Sequence, residues 1–295
     1  MTKSAFVAIV GRPNVGKSSL LNAFLGEKIA IVSDKPQTTR TRITGVLTQG
    51  ETQFVFIDTP GLHKPRTKLS EYMVKQVRES VADVDVAVLV TEAFGKITNA
   101  EKELAENLKS QHIPVLLVPN KIDLLEEKEQ LLPKIAEFSS LLEFDQVVPI
   151  SVQQGDGVQT LLSLLDQYAV EGPHFFPDDT LTDQPERVIV AETIREKILQ
   201  HMREEIPHGV AVSVETMKMR EDQNLWDIHA TILCEKASHK GMIIGKGGAM
   251  LKTIASEARA DLESFLNARI NLQCWVKVRE DWRNQERVIR DLGFR

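Results

Sequence analysis

The sequence predicts an α/β protein, in which a mostly parallel sheet with both faces covered by helices is followed by a smaller α+β module. In the first 170 residues, short apolar runs rich in β-branched residues alternate with longer amphipathic stretches, which is typical of βαβ units. The runs predicted as strands are 6–10, 54–57, 84–90, 115–118 and 147–150. The stretches predicted as helices are 18–25, 68–82, 99–110, 126–142 and 157–168.

A length of 295 residues also favours two domains. Residues 171–186 contain three prolines and several acidic residues with little periodicity, so we interpret them as a linker, with a docking loop as the alternative. The predicted organisation is a first domain at 1–170, the linker at 171–186 and a second domain at 187–295. Because ligands of parallel sheets bind at the carboxyl ends of the strands, the first domain should carry its site there.

The second domain shows a different order of elements. The pattern predicts a helix at 188–204, strands at 210–218 and 225–235, two helices around a glycine-rich turn within 241–266, a strand at 269–279 and a short helix at 281–291. In the last strand, four apolar residues alternate with four polar or aromatic ones, which indicates a half-buried strand; they are Leu272, Cys274, Val276 and Val278 against Gln273, Trp275, Lys277 and Arg279.

Composition excludes several classes of protein. Hydrophobic residues make up 42% and charged residues 26%, as in ordinary globular chains. The two cysteines form no CxxC motif, which favours a reduced cytosolic protein without a structural zinc site. No stretch approaches the roughly 18 apolar residues of a membrane span. The net charge of -6 argues against bulk binding of nucleic acid, yet residues 235–295 hold 12 Lys and Arg against 8 Asp and Glu. Any polyanion contact should therefore lie in the C-terminal fifth.

Residues 11–18, GRPNVGKS, match the phosphate-loop pattern GxxxxGK[ST], and they follow a predicted strand and open a predicted helix. In this context the backbone N–H groups of the loop face phosphates. Lys17 should bridge the β- and γ-phosphates, and the Ser18 hydroxyl should bind Mg²⁺. The alternative is a glycine turn with a solvated lysine.

Three further polar segments follow predicted strands. Asp58-Thr59-Pro60-Gly61 places a carboxylate near the Mg²⁺ shell and an N–H group near the γ-phosphate, although on its own it is a common turn. Asn120-Lys121-Ile122-Asp123 offers a carboxylate that can accept two hydrogen bonds from guanine N1–H and N2–H₂, which adenine lacks. Ser151-Val152 offers a backbone N–H group to guanine O6. Together these segments predict a guanine-nucleotide site that binds GTP and GDP.

Residues 37–40 lie in a long loop after the first helix. A threonine hydroxyl there, assigned to Thr39, would complete the Mg²⁺ shell only when a γ-phosphate is present, which would make the loop a switch. The predicted switch residues are Gln37, Thr38, Thr39 and Arg40. A plain polar loop is the alternative.

With PQTTRTR at 36–42 and DTPGLHKPR at 58–66, the chain resembles the Era family of bacterial GTPases. The segment from Met242 to Ile254 resembles the GXXG turn of a KH domain, in the αββααβ order of a type II KH domain. The resemblance covers nearly the whole chain. It implies a P-loop GTPase domain and a KH domain, hydrolysis of GTP to GDP and phosphate, binding of 16S rRNA near its 3′ end, and assistance to assembly and rRNA maturation of the small (30S) subunit.

The resemblance and the motifs together assign the site residues. The phosphate-binding set is Gly11, Arg12, Pro13, Asn14, Val15, Gly16, Lys17, Ser18, Ser19, Asp58, Thr59, Pro60, Gly61 and Leu62. The guanine-binding set is Asn120, Lys121, Asp123, Ser151 and Val152. Ser18 and Thr39 are assigned to Mg²⁺, and Asn14, by analogy with relatives, to a potassium ion. Leu62 stands where many GTPases carry a glutamine that orients water, which predicts slow intrinsic hydrolysis.

The predicted RNA-binding turn is Gly245, Lys246, Gly247 and Gly248. Its glycines let backbone N–H groups approach the sugar-phosphate chain, and Lys246 adds charge, so the turn can clamp about four nucleotides. A plain helix-helix turn is the alternative. For Trp275, an interface role and stacking on a base are both open.

Two other functions stay open at this point. One is an RNA-modifying enzyme driven by its GTPase domain, and the other is a membrane-associated factor in cell-cycle signalling. The family implies a cytoplasmic protein with peripheral association at the cytoplasmic face of the membrane, whereas the sequence carries no lipidation motif or strongly amphipathic basic helix. No DNA partner is expected.

Overall fold

A computed structural model describes residues 1–61, 67–81, 83–203 and 206–294. The chain divides into two compact units. Of the described residues, the first unit holds those within 1–30, 39–65 and 73–183, and the second holds those within 31–38, 66–72 and 184–295. Among the described residues, no helix combines the length and the apolar character needed to cross a membrane.

The first unit is built on one twisted sheet. Its strands are β1 (Lys3–Val10), β2 (Ile43–Gln49), β3 (Thr52–Asp58), β4 (Val86–Glu92), β5 (Val115–Asn120), β6 (Gln146–Val147) and β7 (Val170–Glu171). The order across the sheet is β2-β3-β1-β4-β5-β6, with β7 added antiparallel to β1. All neighbours from β3 to β6 are parallel, and only the hairpin partner β2 runs antiparallel in that order. The predicted mostly parallel sheet is confirmed.

The helices of this part of the chain are α1 (Lys17–Leu25), α2 (Lys68–Glu79), α3 (Asn99–Gln111), α4 (Leu132–Ser139) and α5 (Val158–Leu165). The first five residues of α2 belong to the second unit and the rest to the first. The predicted helix at 126–142 is too long: Pro133 lies in the first turn of α4, where proline is tolerated, and a 3₁₀ turn at Lys128–Leu131 precedes it. The predicted strand at 147–150 is likewise shorter, with a single bridge at Ile150.

Strand β2 was not predicted, because its sequence ITGVLTQ lacks a clear apolar period. It forms by pairing along its whole length with β3. At Gly45 a Cβ atom would lie 2.6 Å from Leu21 Cδ1 and 2.8 Å from Leu25 Cδ1, so glycine lets α1 pack closely on this strand. Tertiary packing therefore creates an element that local propensity does not encode.

Residues 171–183, within the predicted linker, are attached to the first unit. Gln53 Oε1 accepts hydrogen bonds from the N–H groups of Phe175 and Phe176 at 2.8 and 2.9 Å, and the Thr182 hydroxyl donates to the Thr44 carbonyl at 2.6 Å. A proline-rich stretch thus lies along the sheet because its main chain finds side-chain partners there. The domain boundaries at 170 and 187 stay predictions.

The second unit carries the αββααβ module, confirming the predicted α+β arrangement. Its elements are α6 (Glu186–His201), β8 (Ala211–Arg220), β9 (Leu225–Cys234), α7 (Ala237–Ile244), α8 (Ala249–Leu266), β10 (Arg269–Val278) and α9 (Glu286–Asp291). The sheet order is β10-β9-β8, with β9 and β10 parallel. Its buried core joins the three strands to α6, α7 and α8 through residues such as Ile194, Ile228, Ile243, Ile254 and Val276.

Candidate nucleotide-binding site and RNA-binding turn

The phosphate loop connects β1 to α1, where its glycines meet close neighbours. At Gly11, whose φ is +153°, a Cβ atom would lie 2.3 Å from the Val90 carbonyl oxygen. At Gly16, whose φ is +102°, it would lie 2.2 Å from Asn120 Nδ2. Larger residues would break the contacts between the loop and two neighbouring strand ends, so the spacing of the motif has a steric cause.

Lys17 is buried within the loop, where its ammonium group donates to the Arg12 carbonyl at 3.1 Å. Burial lowers the pKa of Lys17 to about 8, although the Asp58 carboxylate opposes this shift. A buried cation at the N-terminus of a helix is a suitable partner for phosphate charge.

Three oxygen ligands converge beside the loop. Ser18 Oγ lies 2.6 Å from Asp58 Oδ2 and 2.8 Å from Thr39 Oγ1. Asp58 Oδ1 is buried and has no hydrogen-bond partner. Burial raises the pKa of Asp58 to about 6, against the opposing effects of Lys17 and the two hydroxyls. Hard oxygen ligands around an unsatisfied buried carboxylate oxygen fit a magnesium ion.

The segment after β3 continues this side of the site. The Thr59 hydroxyl donates to the Ile9 carbonyl at 3.0 Å, and a Cβ atom at Gly61 would lie 2.6 Å from the Pro13 nitrogen. The Asp58–Gly61 segment therefore lies directly against the phosphate loop. Leu62, assigned to the same segment, lies outside the described residues.

Asn120 joins the phosphate loop to the predicted guanine side of the site. Its amide Nδ2 donates to the Val15 carbonyl at 2.8 Å, and its Oδ1 accepts from the N–H groups of Lys121 at 2.8 Å and Val152 at 3.1 Å. The Ser151 hydroxyl donates to Asp123 Oδ1 at 2.6 Å. The structure thus brings all five predicted guanine-binding residues together at the end of β5 and in the segments that follow β5 and β6, in two hydrogen-bonded groups that adjoin at Ser151 and Val152.

Sequence reasoning missed two charged residues in this region, Glu92 and Glu101. Glu92, the last residue of β4, forms ion pairs with Lys121 at 2.5 Å and with Arg12. Burial acts to raise the pKa of Glu92, but Lys121 and Arg12 outweigh it and hold the pKa below its ordinary value. Arg12 also lies 3.3 Å from the fully buried carboxylate of Glu101. The position of Glu92 at the end of a strand could have marked it as a site residue, but the neighbouring sequence does not indicate its partners.

The switch residues fall in both units. Thr39 and Arg40 belong to the first unit, and Gln37 and Thr38 to the second. Within the second unit, Arg195 of α6 donates to the Thr38 carbonyl, and Glu196 accepts from the Val32 N–H group at 2.8 Å. These two attachments to α6 were not predicted.

The predicted RNA-binding turn connects α7 to α8, with φ values of +72°, +61° and +82° at Gly245, Gly247 and Gly248. A Cβ atom at Gly245 would lie 2.7 Å from Met250 Cβ, whereas at Gly247 and Gly248 nothing lies within 4 Å. Lys246 and Gly247 are exposed. The first glycine thus serves packing, and the middle of the turn has open space in which an RNA backbone can approach.

Comparisons with known proteins give separate matches for the two parts of the chain. Residues 6–121 match the family model described as 50S ribosome-binding GTPase, and residues 205–283 match that of the KH domain. The chain is 51% identical to GTPase Era of Clostridioides difficile over 294 residues, covering 100% of this chain and 99% of that relative.

The chain belongs to the Era family of GTPases. It is also 50% identical to GTPase Era of Clostridium acetobutylicum over 295 residues, covering 100% of this chain and 99% of that relative. It is therefore a GTPase, as the motifs predicted.

Two solved Era structures share the whole architecture. One is the crystal structure of Era in complex with MgGDPNP and nucleotides 1506–1542 of 16S ribosomal RNA, with a TM-score of 0.96, 37% identity and coverage of 100% of this chain and 99% of that one. The other is a variant of Aquifex aeolicus Era bound to GDP·AlF4⁻, with a TM-score of 0.95, 37% identity and coverage of 99% of both chains. The predicted family and fold are confirmed.

Proposed function

We propose that this Era-family protein is a GTP-controlled switch that binds 16S rRNA near its 3′ end and assists assembly of the small (30S) ribosomal subunit and maturation of its rRNA. The observation that carries the proposal is the relative bound to both MgGDPNP and nucleotides 1506–1542 of 16S rRNA, whose fold this chain shares over its full length. This chain has a segment suited to each of these ligands: the phosphate loop for the nucleotide and the exposed GXXG turn for the RNA.

In the nucleotide site, the N–H groups of residues 11–19 and the Lys17 ammonium group would hold the phosphates. The Asp123 carboxylate would accept from guanine N1–H and N2–H₂. The Val152 N–H group, which donates to Asn120 Oδ1 at 3.1 Å, would share this hydrogen between Asn120 and guanine O6. Support for these roles comes from the shared hydrogen-bond network of Asn120, which ties Val15 of the loop to Val152 and thereby holds both ends of the nucleotide site in register.

Ser18 and Thr39 would bind Mg²⁺, with Asp58 accepting from both hydroxyls. When bound, the ion would neutralise phosphate charge and so favour the departure of the γ-phosphoryl group. Because Thr39 follows directly on Thr38, a γ-phosphate that recruits Thr39 would order the adjoining switch residues 37–40.

We include potassium as a second cation, to be held with the help of Asn14. This residue adopts a positive φ of 65° in the phosphate loop. A monovalent cation beside the phosphates would supply the charge that an arginine finger supplies elsewhere. GTP hydrolysis measured in K⁺ and in Na⁺ at equal ionic strength tests this assignment, and equal rates would contradict it.

Sedimentation with purified 30S subunits tests the main proposal. The protein should sediment with the subunits in the presence of a non-hydrolysable GTP analogue and less so with GDP. A variant with Lys246 and Gly247 both replaced by Asp should stay in the supernatant, and Lys17→Ala should lose the dependence on nucleotide as well as GTP turnover. Absence of the wild type from the subunit pellet under every nucleotide condition would exclude the proposal.

For location, we propose a cytoplasmic protein with peripheral association at the cytoplasmic face of the membrane. This part rests on the family resemblance alone. Flotation with anionic lipid vesicles measures it directly, and recovery of all protein in the lipid-free fraction would restrict the proposal to the cytoplasm.

A further inference from the structure

The sheet of the second unit has one face that its helices cover and one that they do not. Side chains alternate between the faces along a strand. On β10, Ile270 and Val276 enter the core with α6, α7 and α8, and Leu272 and Cys274 pack against it. The odd-numbered residues therefore point away from the helices; they are Arg269, Asn271, Gln273, Trp275 and Lys277. Arg279 continues the strand pairing, because its N–H group donates to the Cys234 carbonyl at 2.8 Å.

Trp275 is the aromatic centre of this surface, which we call the β10 face. Its side chain is 47% exposed, whereas Trp282 is fully buried. The imidazole ring of His229, on the neighbouring strand, meets the indole edge-on with ring centroids 5.4 Å apart. Edge-to-face contact is a preferred geometry of ring pairs, so it favours this orientation of the indole. Trp275 therefore presents a large, oriented π surface to solvent.

Positive charge flanks this indole. Lys277 follows it by one repeat of the strand, and Arg269 and Arg279 lie farther along on the same side, all three exposed. The strand register places one carboxylate, Asp227, on the same face, but that group pairs with Arg220 at 2.5 Å and accepts from Asn271 at 2.8 Å. Exposed Glu215 lies at the bulge of β8, the opposite edge of the sheet. The surface near Trp275 thus combines a π face, an amide and uncompensated cations.

We propose that the β10 face is a second RNA-contact surface, on which single-stranded RNA stacks a base against Trp275 and places phosphates near Lys277 and Arg269. Stacking on exposed aromatic rings with cations beside them is how proteins bind single strands, whereas paired bases have no free face to offer. A protein partner fits less well, because Lys277, the cation nearest to Trp275 along the strand, is of a type that protein interfaces deplete, although they enrich tryptophan and arginine. The proposal rests on the proposed function and extends it beyond the GXXG turn.

The topology allows both surfaces to bind one RNA strand. Strand β10 is one of the two edge strands of the sheet, and α7 and α8, which flank the GXXG turn, pack against its other side. An RNA chain that leaves the turn can therefore pass around this edge. Since a GXXG turn clamps about four nucleotides, the β10 face would bind nucleotides outside those four.

Fluorescence anisotropy with the full-length protein tests the proposal, using labelled RNAs of four and twelve nucleotides from the 3′ region of 16S rRNA, the longer containing the shorter. Trp275→Ala should weaken binding of the twelve-nucleotide RNA about tenfold or more and leave the four-nucleotide RNA unchanged. Trp275→Phe should restore most of the affinity, because phenylalanine still stacks. Lys277→Gln should reduce the slope of log affinity against log salt by about one.

Tryptophan fluorescence provides a second readout. The longer RNA should quench the wild type but not Trp275→Phe, in which Trp226 and Trp282 serve as internal controls. Circular dichroism and GTP turnover without RNA should match the wild type in every variant. Unchanged binding of the longer RNA by Trp275→Ala would overturn the proposal while leaving the proposed function intact. Failure of the wild type to bind either RNA would overturn both.

Discussion

Arg195 donates a hydrogen bond to the main-chain carbonyl of Thr38, while the next residue in the chain, Thr39, lies 2.8 Å from Ser18 through its hydroxyl. Arg195 is buried on α6 and is held by Glu192, whose Oε1 accepts from its Nε at 2.8 Å. One peptide bond therefore joins a residue attached to the second unit to a residue in the nucleotide site of the first.

We expect Arg195→Ala to release the segment 31–38. The hydrogen bond has a charged donor, a class that contributes about 1.5–3 kcal/mol, so its loss should raise local opening roughly tenfold or more. Hydrogen–deuterium exchange of the peptides covering 31–38 measures this. Arg187→Ala, on the exposed part of the same helix, is the matched control and should exchange like the wild type. Equal exchange in the two variants would show that Arg195 does not hold the segment.

Asp123→Asn should shift base preference from guanine toward xanthine. The substitution replaces an acceptor with a donor opposite the position at which the two bases differ, and leaving a buried polar group unpaired costs about 1–3 kcal/mol. Competition binding of GTP and XTP measures the shift. Asp156→Asn, an exposed carboxylate nearby, should keep the preference of the wild type. Retained guanine preference in Asp123→Asn would remove this residue from the base-reading role.

Gly16→Ala should abolish nucleotide binding, because its Cβ atom would lie 2.2 Å from Asn120 Nδ2 and would separate Asn120 from the Val15 carbonyl. Both ends of the site would then lose their common support. Gly26→Ala is the control, since Gly26 also has positive φ but no atom lies within 4 Å of its added Cβ. Isothermal titration with GDP separates the two, and comparable affinity in both variants would refute the steric argument.

Replacing Lys246 and Gly247 by two aspartates should remove RNA binding, because two carboxylates would meet the phosphate backbone at close range. The fold should survive, since both residues are exposed and an added Cβ at Gly247 meets no atom within 4 Å. Lys109 and Gly50, both replaced by Asp, form a control with the same change in charge, and Gly50 has a φ of +62° in equally open space. Filter binding compares the RNA affinities of the two double variants. A folded turn variant with unchanged affinity for RNA would identify the turn as purely structural.

His174 predicts a pH dependence in the segment beside the sheet. Its ring nitrogens contact Asp178 Oδ1 at 2.7 Å and the Glu51 carbonyl at 3.1 Å, and the Asp178 carboxylate raises the pKa of His174 above its ordinary value. The folded state thus favours the imidazolium, so this stabilisation is present below the ordinary pKa of about 6.5 and is lost as pH rises through the folded value.

NMR titration of His174 checks this relationship. Asp178→Asn should lower the pKa of His174, and its destabilising effect should be larger at pH 6 than at pH 9. Asp179→Asn, the adjacent exposed carboxylate, is the control. An unchanged His174 titration in Asp178→Asn would show that the contact has no energetic effect.

The phosphate loop and the GXXG turn could both be predicted from the sequence, because each depends on local chemistry. GRPNVGKS needs only a strand before it and a helix after it, and the GXXG turn needs only two helices and residues that accept positive φ. The gathering of Asp58, Asn120 and Ser151 at one edge was also predictable, since the carboxyl ends of parallel strands meet there.

Contacts between residues far apart in the chain could not be predicted, because they form only in the folded protein. Glu92 reaches Lys121, Arg195 reaches Thr38, and β2 forms only where β3 offers a partner. Each pair depends on the chain topology that brings its members together and on burial, which strengthens the attraction between charges and penalises any polar group left without a partner. Neither is visible in a local pattern of residues. The exposed face around Trp275 depends on both sequence and tertiary structure. The sequence predicts its alternation of side chains, but the face is exposed because the helices pack on the opposite side of the sheet.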